Sequence, residues 1–160
     1  MALDIGLTLA QLATLKTAII ADPVAGPMRI AQDTYSLLAW CNAATLTDAW
    51  RNTVQAYESD EAATYATFDN IVAGKRDSWK IFITFPRDFT RAKVRNWVAD
   101  VWGPVIASSI SENILKAGIE KATNAQNALG AISRTTGTVT ANDRNFFGTV
   151  RQDEVNKLVN

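Results

Sequence analysis

The chain reads as runs of helical periodicity separated by short polar breaks. Leu3, Ile5 and Leu7 alternate with small or polar residues, which suits an extended arm over 1–7. Thr8-Leu9-Ala10-Gln11 then has the form of a capping box, hydroxyl first and amide three residues on. Behind it Leu9, Leu12, Leu15, Ile19 and Ile20 recur on one face, predicting a helix over 9–21 that Asp22-Pro23 stops. Pro27 fits the first position of a second helix over 27–41. That helix carries two apolar rows, Met28, Ala31, Tyr35, Leu38 and Ile30, Leu37, Cys41, so it is expected to be central or to face a partner.

After a break at 42–44, Thr47-Asp48 reads as the cap of a short helix over 48–57, with Ala49, Trp50, Val54 and Tyr57 inward. Glu58, Asp60, Glu61 and Asp69 follow among small residues. They lack the alternating Asp/Asn and central glycine of a calcium loop and read as a solvated helix start capped by Ser59. The stretch Asp77–Trp102 holds three of the five tryptophans and three of the six phenylalanines, and it organises the rest. It predicts two helices turning about Pro86, the first with Trp79, Phe82 and Ile83 on one face, although the run Ile81-Phe82-Ile83-Thr84-Phe85 also alternates as a strand would. The second starts at Asp88 or Thr90, carries Val94, Trp97, Val98 and Val101, and ends at Gly103-Pro104. Further helices are expected over 111–120, capped by Ser109 or Ser111, over 122–129, capped by Thr123, and over 151–159. Between the last two, Ser133–Asn142 has no apolar stripe. It suits a surface loop, a loose hairpin pairing 138–140 with 146–150, or a segment ordered against a neighbour.

These elements predict an all-α fold, mainly a helical bundle, with a C-terminal extended arm or small β-hairpin. The expected division is a core over 1–132 and a tail over 133–160 of the same domain, as 160 residues suggest one domain.

Composition narrows the chemistry. Net charge is zero, so no overall field steers the chain to nucleic acid or membrane. There is no histidine, and Cys41 is the only cysteine, which removes the commonest base, the commonest metal ligand and any intrachain disulfide. Cys41 is expected to be a small buried hydrophobe. No P-loop, dinucleotide fingerprint or nucleophile elbow occurs, so no catalytic, cofactor-binding or metal residue is nominated and an enzyme is disfavoured. The first residues lack a basic segment and no apolar run reaches membrane length, so a soluble, reducing compartment is expected.

Charge is unevenly spread. Residues 1–70 carry three basic residues against eight acidic, a net of −5, and residues 71–160 carry 13 against eight, a net of +5. The two halves either neutralise each other within one fold or bring the acidic face of one copy to the basic face of the next, a contact that can close a ring. Between Lys75 and Arg95 seven basic residues meet two acidic ones. They read as a solvated face or a partner for acids 58–69, with weak phosphate contact as the alternative.

Several short motifs resemble a family of small virion morphogenesis proteins of tailed bacteriophages. They are Ala21-Asp22-Pro23, Tyr35, Trp50-Arg51, Lys75-Arg76-Asp77-Ser78-Trp79, Lys121-Ala122-Thr123-Asn124-Ala125-Gln126, Thr136-Gly137-Thr138 and Val150-Arg151-Gln152-Asp153-Glu154-Val155. The chain departs from that family at Asn124, where arginine is usual, at Thr136 before a single Gly137, and at Phe147-Gly148 in place of Glu-Gly. The resemblance implies a structural role without catalytic residues: a head-to-tail adaptor (neck) subunit forming a homo-oligomeric ring between portal and tail. The implied partners are further copies, the portal protein, tail or nozzle proteins and packaged DNA in the lumen; the implied location is the virion, assembled in the host cytoplasm. Another virion component (tail tube, tail terminator or capsid-associated protein) and a helical nucleic-acid-binding or regulatory module stay open. The contact residues expected are Arg91, Lys93 and Arg95 on the basic side, Glu58, Asp60 and Glu61 on the acidic side, and Thr136, Thr138, Phe146 and Phe147 on the 133–150 arm.

Overall fold

A computed structural model describes residues 6–160; the expected arm falls largely outside them. The described residues form nine α-helices, one 3-10 helix and four strands: α1 Leu9–Ala21, α2 Ala25–Ile30, α3 Thr34–Asn42, β1 Ala44–Trp50, α4 Ala56–Ala62, the 3-10 helix Tyr65–Asn70, α5 Ala73–Phe82, α6 Ala92–Trp102, α7 Ile110–Ala117, β2 Ile119–Thr123, α8 Asn124–Ala128, β3 Ala131–Thr136, β4 Val139–Arg144 and α9 Gln152–Leu158. The strands make one sheet in the order β2-β1-β4-β3, with β1 and β4 parallel and Ala49 opposite Asn142. The fold is therefore mixed α/β, and the all-α expectation is corrected. The chain divides into two compact units. Unit 1 comprises the described residues of Met1–Thr47 with Lys121–Ile132 and Arg144–Asn160; unit 2 comprises Asp48–Glu120 and Ser133–Asp143.

Unit 1 is a cluster of capped helices. Thr8 Oγ1 accepts from Gln11 N (3.1 Å) and Gln11 Oε1 accepts from Thr8 N (3.0 Å), the reciprocal cap that the first residues of α1 predict. Leu12, Leu15 and Ile19 of α1 pack with Leu37, Cys41, Ala125, Val155 and Leu158. The helix expected over 27–41 is instead α2 and α3. Asp33 Oδ1 accepts from Ser36 N (3.0 Å) to start α3, and Gln32 before it adopts a left-handed backbone (φ 54°). A short polar side chain that bonds the backbone locally competes with helix continuation. Tyr35, on a helix expected to be central or to face a partner, is exposed. The amide of Asn42 exchanges two hydrogen bonds with Val150, Nδ2 to O (2.9 Å) and N to Oδ1 (2.8 Å), tying the end of α3 to the segment before α9. Buried Glu154 accepts from Leu7 N (2.5 Å) and Arg151 N (2.9 Å), which starts α9 and fixes the chain ahead of α1.

Cys41 is fully buried, and burial pushes its thiol up to about 12. Only the thiolate is nucleophilic. An Ellman titration of native protein at pH 8 is expected to show no reactive thiol, and one equivalent after unfolding in guanidinium.

Unit 2 is built on the aromatic stretch. Trp79 and Phe82 stack in parallel with ring centres 4.9 Å apart; Trp102 meets Trp79 edge-on at 5.3 Å, and Trp97 meets Phe82 edge-on at 5.1 Å. Arg87 closes α5: Nε donates to Phe82 O and Nη2 to Ile81 O, both at 2.7 Å, with the guanidinium over the Trp97 ring. A cation on the last carbonyls of a helix complements its dipole, so this member of the basic run is structural. Ser109 Oγ accepts from Glu112 N (3.1 Å) and starts α7.

The helix expected over 48–57 is the end of β1, a bend and the start of α4. Trp50 and Val54 are buried as expected, but Tyr57 is exposed. Ser59 lies buried inside α4 rather than at its cap, where Gln55 stands. Residues 131–144 form a hairpin turning at Gly137-Thr138, so β4 pairs with β3 and not 138–140 with 146–150. Gly137 has φ 60°, and a Cβ there would come within 2.3 Å of Val105 Cβ, so the turn requires glycine twice over.

Candidate interaction surfaces

The expected contact residues do not gather into two charged faces. Arg91 is exposed and its Nε lies 3.1 Å from Asp88 Oδ2; Lys93 is exposed. Arg95 is buried, with only 3% of its surface exposed. It shares the inward stripe of α6 with Val98 and Val101, at spacings of three, and that signal was available in the sequence. Its Nη1 donates to Phe89 O and Thr90 O, its Nε to Thr136 Oγ1, each at 2.8 Å, and its guanidinium covers the Trp50 ring at 4.8 Å. Arg95 is thus corrected from a surface contact to an internal brace, and Thr136 is half-buried as its partner.

On the acidic side, Arg51 grips Glu58 with two hydrogen bonds, Nη1 to Oε1 (2.6 Å) and Nη2 to Oε2 (3.0 Å), and holds its carboxyl below the usual range. Asp60 accepts from the Tyr65 hydroxyl, which in turn accepts from Trp79 Nε1 (2.8 Å). Burial first, and Asp60 second, push that phenol up to about 12. Of the three acids, Glu58 and Asp60 are spent inside unit 2, whereas Glu61 is exposed.

The 133–150 segment is not a projecting arm. Its first part is the hairpin; Thr138 Oγ1 donates to Glu112 Oε2 (2.9 Å), and Phe146 is buried in the core of unit 1. Phe147 is 38% exposed, with the Arg144 guanidinium over its ring at 4.6 Å.

Apolar surface is absent from the expected contact residues, although Ile30 and Tyr35 belong to the two apolar rows expected to be central or to face a partner. In unit 1, Leu9, Ile30, Tyr35 and Leu46 stand 85%, 80%, 82% and 94% exposed. Leu46 lies on β1, an interior strand of the sheet, where a leucine is ordinarily covered. The edge strand β3 is exposed from Ala131 to Thr135, and an edge strand presents unpaired backbone donors and acceptors. In unit 2 a depression of about 470 Å³ is lined by Thr90, Ala92, Arg95, Arg134, Thr135 and Asp143. No helix among the described residues is long and apolar enough to cross a membrane. No protein-family model, no curated protein and no solved structure matches the chain.

Proposed function

We propose that the chain is a structural assembly subunit, and specifically a head-to-tail adaptor of a tailed-bacteriophage virion that forms a ring between portal and tail. The observation that carries the assembly reading is the exposure of Leu9, Ile30, Tyr35 and Leu46 at 80% or more on a unit that has a buried apolar core of its own. Fully burying each such side chain is worth about 1.5–3 kcal/mol, so a surface that takes up several gains enough for stable association. Zero net charge adds no repulsion between copies. The open edge of β3 is compatible with the same role, because strand addition supplies main-chain hydrogen bonds. The adaptor assignment within that class rests on the resemblance of the 121–126, 136–138 and 150–155 motifs.

Light scattering across a concentration series, alone and with purified portal rings, tests the reading. The wild-type chain is expected to form rings or to bind portal. Leu46→Glu is expected to weaken that association by roughly tenfold or more. Because Leu46 is 94% exposed, the substitution is expected to change unfolding by no more than about 0.5 kcal/mol. A chain that stays monomeric at every concentration and ignores portal would sink the proposal.

A further inference from the structure

The depression in unit 2 sets an internal brace beside a second arginine. Arg95 spends Nε and Nη1 on Thr136, Phe89 and Thr90; none of these acceptors is a carboxylate. Its Nη2 donates no hydrogen bond among the described residues and is not among the polar atoms shut off from solvent, while the residue as a whole is only 3% exposed. Burial pulls the proton affinity of this guanidinium down, the charges of Asp143 and Asp88 offset part of that, and no acid is hydrogen-bonded to it. Arg134, half-exposed on β3, lines the same depression and bonds Asp143 Oδ2 through Nε at 3.0 Å. Asp143 also lines the depression; its Oδ1 is closed off from solvent and its Oδ2 is engaged by Arg134 Nε, so the charged donors left open on the wall belong to the two guanidinium groups. Ala92 opens α6, an 11-residue helix whose N-terminal amides add positive potential to that wall.

We infer that the Arg95–Arg134 depression binds a monoanionic carboxylate, held by Arg95 Nη2 and the remaining guanidinium donors of Arg134. Two arginines and one aspartate leave the site one positive charge, which one carboxylate neutralises and a doubly charged phosphate overshoots. The planar two-oxygen group matches the guanidinium fork. A volume of about 470 Å³ admits a free acid of amino-acid size or an acidic side chain from a second copy. This binding site goes beyond the assembly proposal and does not depend on it.

The test follows the Nε–Hε signals of Arg95 and Arg134 by NMR in the full chain, titrated with acetate or inorganic phosphate at constant ionic strength. Acetate is expected to shift both signals saturably. A concentration-dependent shift of the same signals without acetate identifies the acid as one from another copy. Arg134→Gln is expected to weaken acetate binding about tenfold. Asp143→Asn, which raises the local charge, is expected to tighten it severalfold, a gain that loss of folding cannot produce. The absence of any saturable shift, tighter binding of phosphate than of acetate, or indifference to both substitutions overturns the inference.

Discussion

Trp79→Ala is expected to lower unfolding free energy by about 3–5 kcal/mol, the range for removing a fully buried large aromatic. The side chain has no exposed surface, lies flat on Phe82, and takes Trp102 on its edge. Its Nε1–H feeds the Tyr65 hydroxyl, which is bonded onward to Asp60. Truncation therefore opens a cavity and orphans a hydrogen-bond chain together. Trp79→Phe keeps most of the volume and gives up the N–H, so it should cost about 1–2 kcal/mol, the scale of one hydrogen bond. Urea denaturation followed by tryptophan fluorescence is well placed to check this, because Trp50, Trp79, Trp97 and Trp102 lie in unit 2 and only Trp40 in unit 1. A loss below about 1 kcal/mol for the alanine variant would mean that the aromatic cluster is not the core.

Gly118→Val is the second large effect. The backbone there is ordinary, so the demand for glycine comes from its neighbour: a Cβ would sit 2.2 Å from Cδ1 and 2.6 Å from Cγ of Phe89. Phe89 is fully buried and cannot swing out. The backbone is pinned as well, since Arg51 N donates to Gly118 O (2.9 Å) and Phe89 N donates to Arg51 O (3.0 Å). Overpacking of this kind costs about 1–3 kcal/mol and sometimes more. At roughly 2–4 °C per kcal/mol for a chain of this size, a melting point several degrees lower is expected. The double variant Gly118→Val/Phe89→Leu should recover part of the loss, because the two sites share one contact. Strict additivity of the two changes would contradict the packing described.

The helices were legible wherever an apolar stripe coincided with a cap. Thr8 and Thr123 each begin a helix through the reciprocal bond that their spacing to Gln11 and Gln126 announces. Of the two caps the sequence offered for α7, Ser109 is the one used, and at 79–82 the helical reading holds over the strand-like alternation of 81–85. The sheet was not legible, for two separate reasons. Ala49, Trp50, Val54 and Tyr57 fall at spacings that a helix would also use, and only pairing with β2 and β4 decides for a strand at Ala44–Trp50. The strand β3 is exposed almost throughout, so it lacks the alternation by which a half-buried strand declares itself.

The interaction surface was obscured by the same one-dimensional view. Charge counts along the chain left two readings open, neutralisation within one fold or opposed faces on successive copies, and three of the six charged groups named for contact are engaged locally: Glu58 by Arg51, Asp60 by Tyr65, and Arg95 by two carbonyls and Thr136. An arginine on the inward stripe of an amphipathic helix is a brace before it is a contact. Conversely, nothing in the spacing around Leu46, set between Thr45 and Thr47, marks it as exposed. Its exposure follows from which face of β1 is left bare, and a sequence read in isolation does not specify that.

The parallel pairing of Ala49 with Asn142 also sets an order on biosynthesis. During translation β1 emerges well before either of its neighbours, β2 at Ile119–Thr123 and β4 at Val139–Arg144, has been made. Closing so wide a loop is slow relative to forming the local helices. In that interval a nascent chain carries β1 without its parallel mate, so the strand is open to mispairing until Val139–Arg144 has been made.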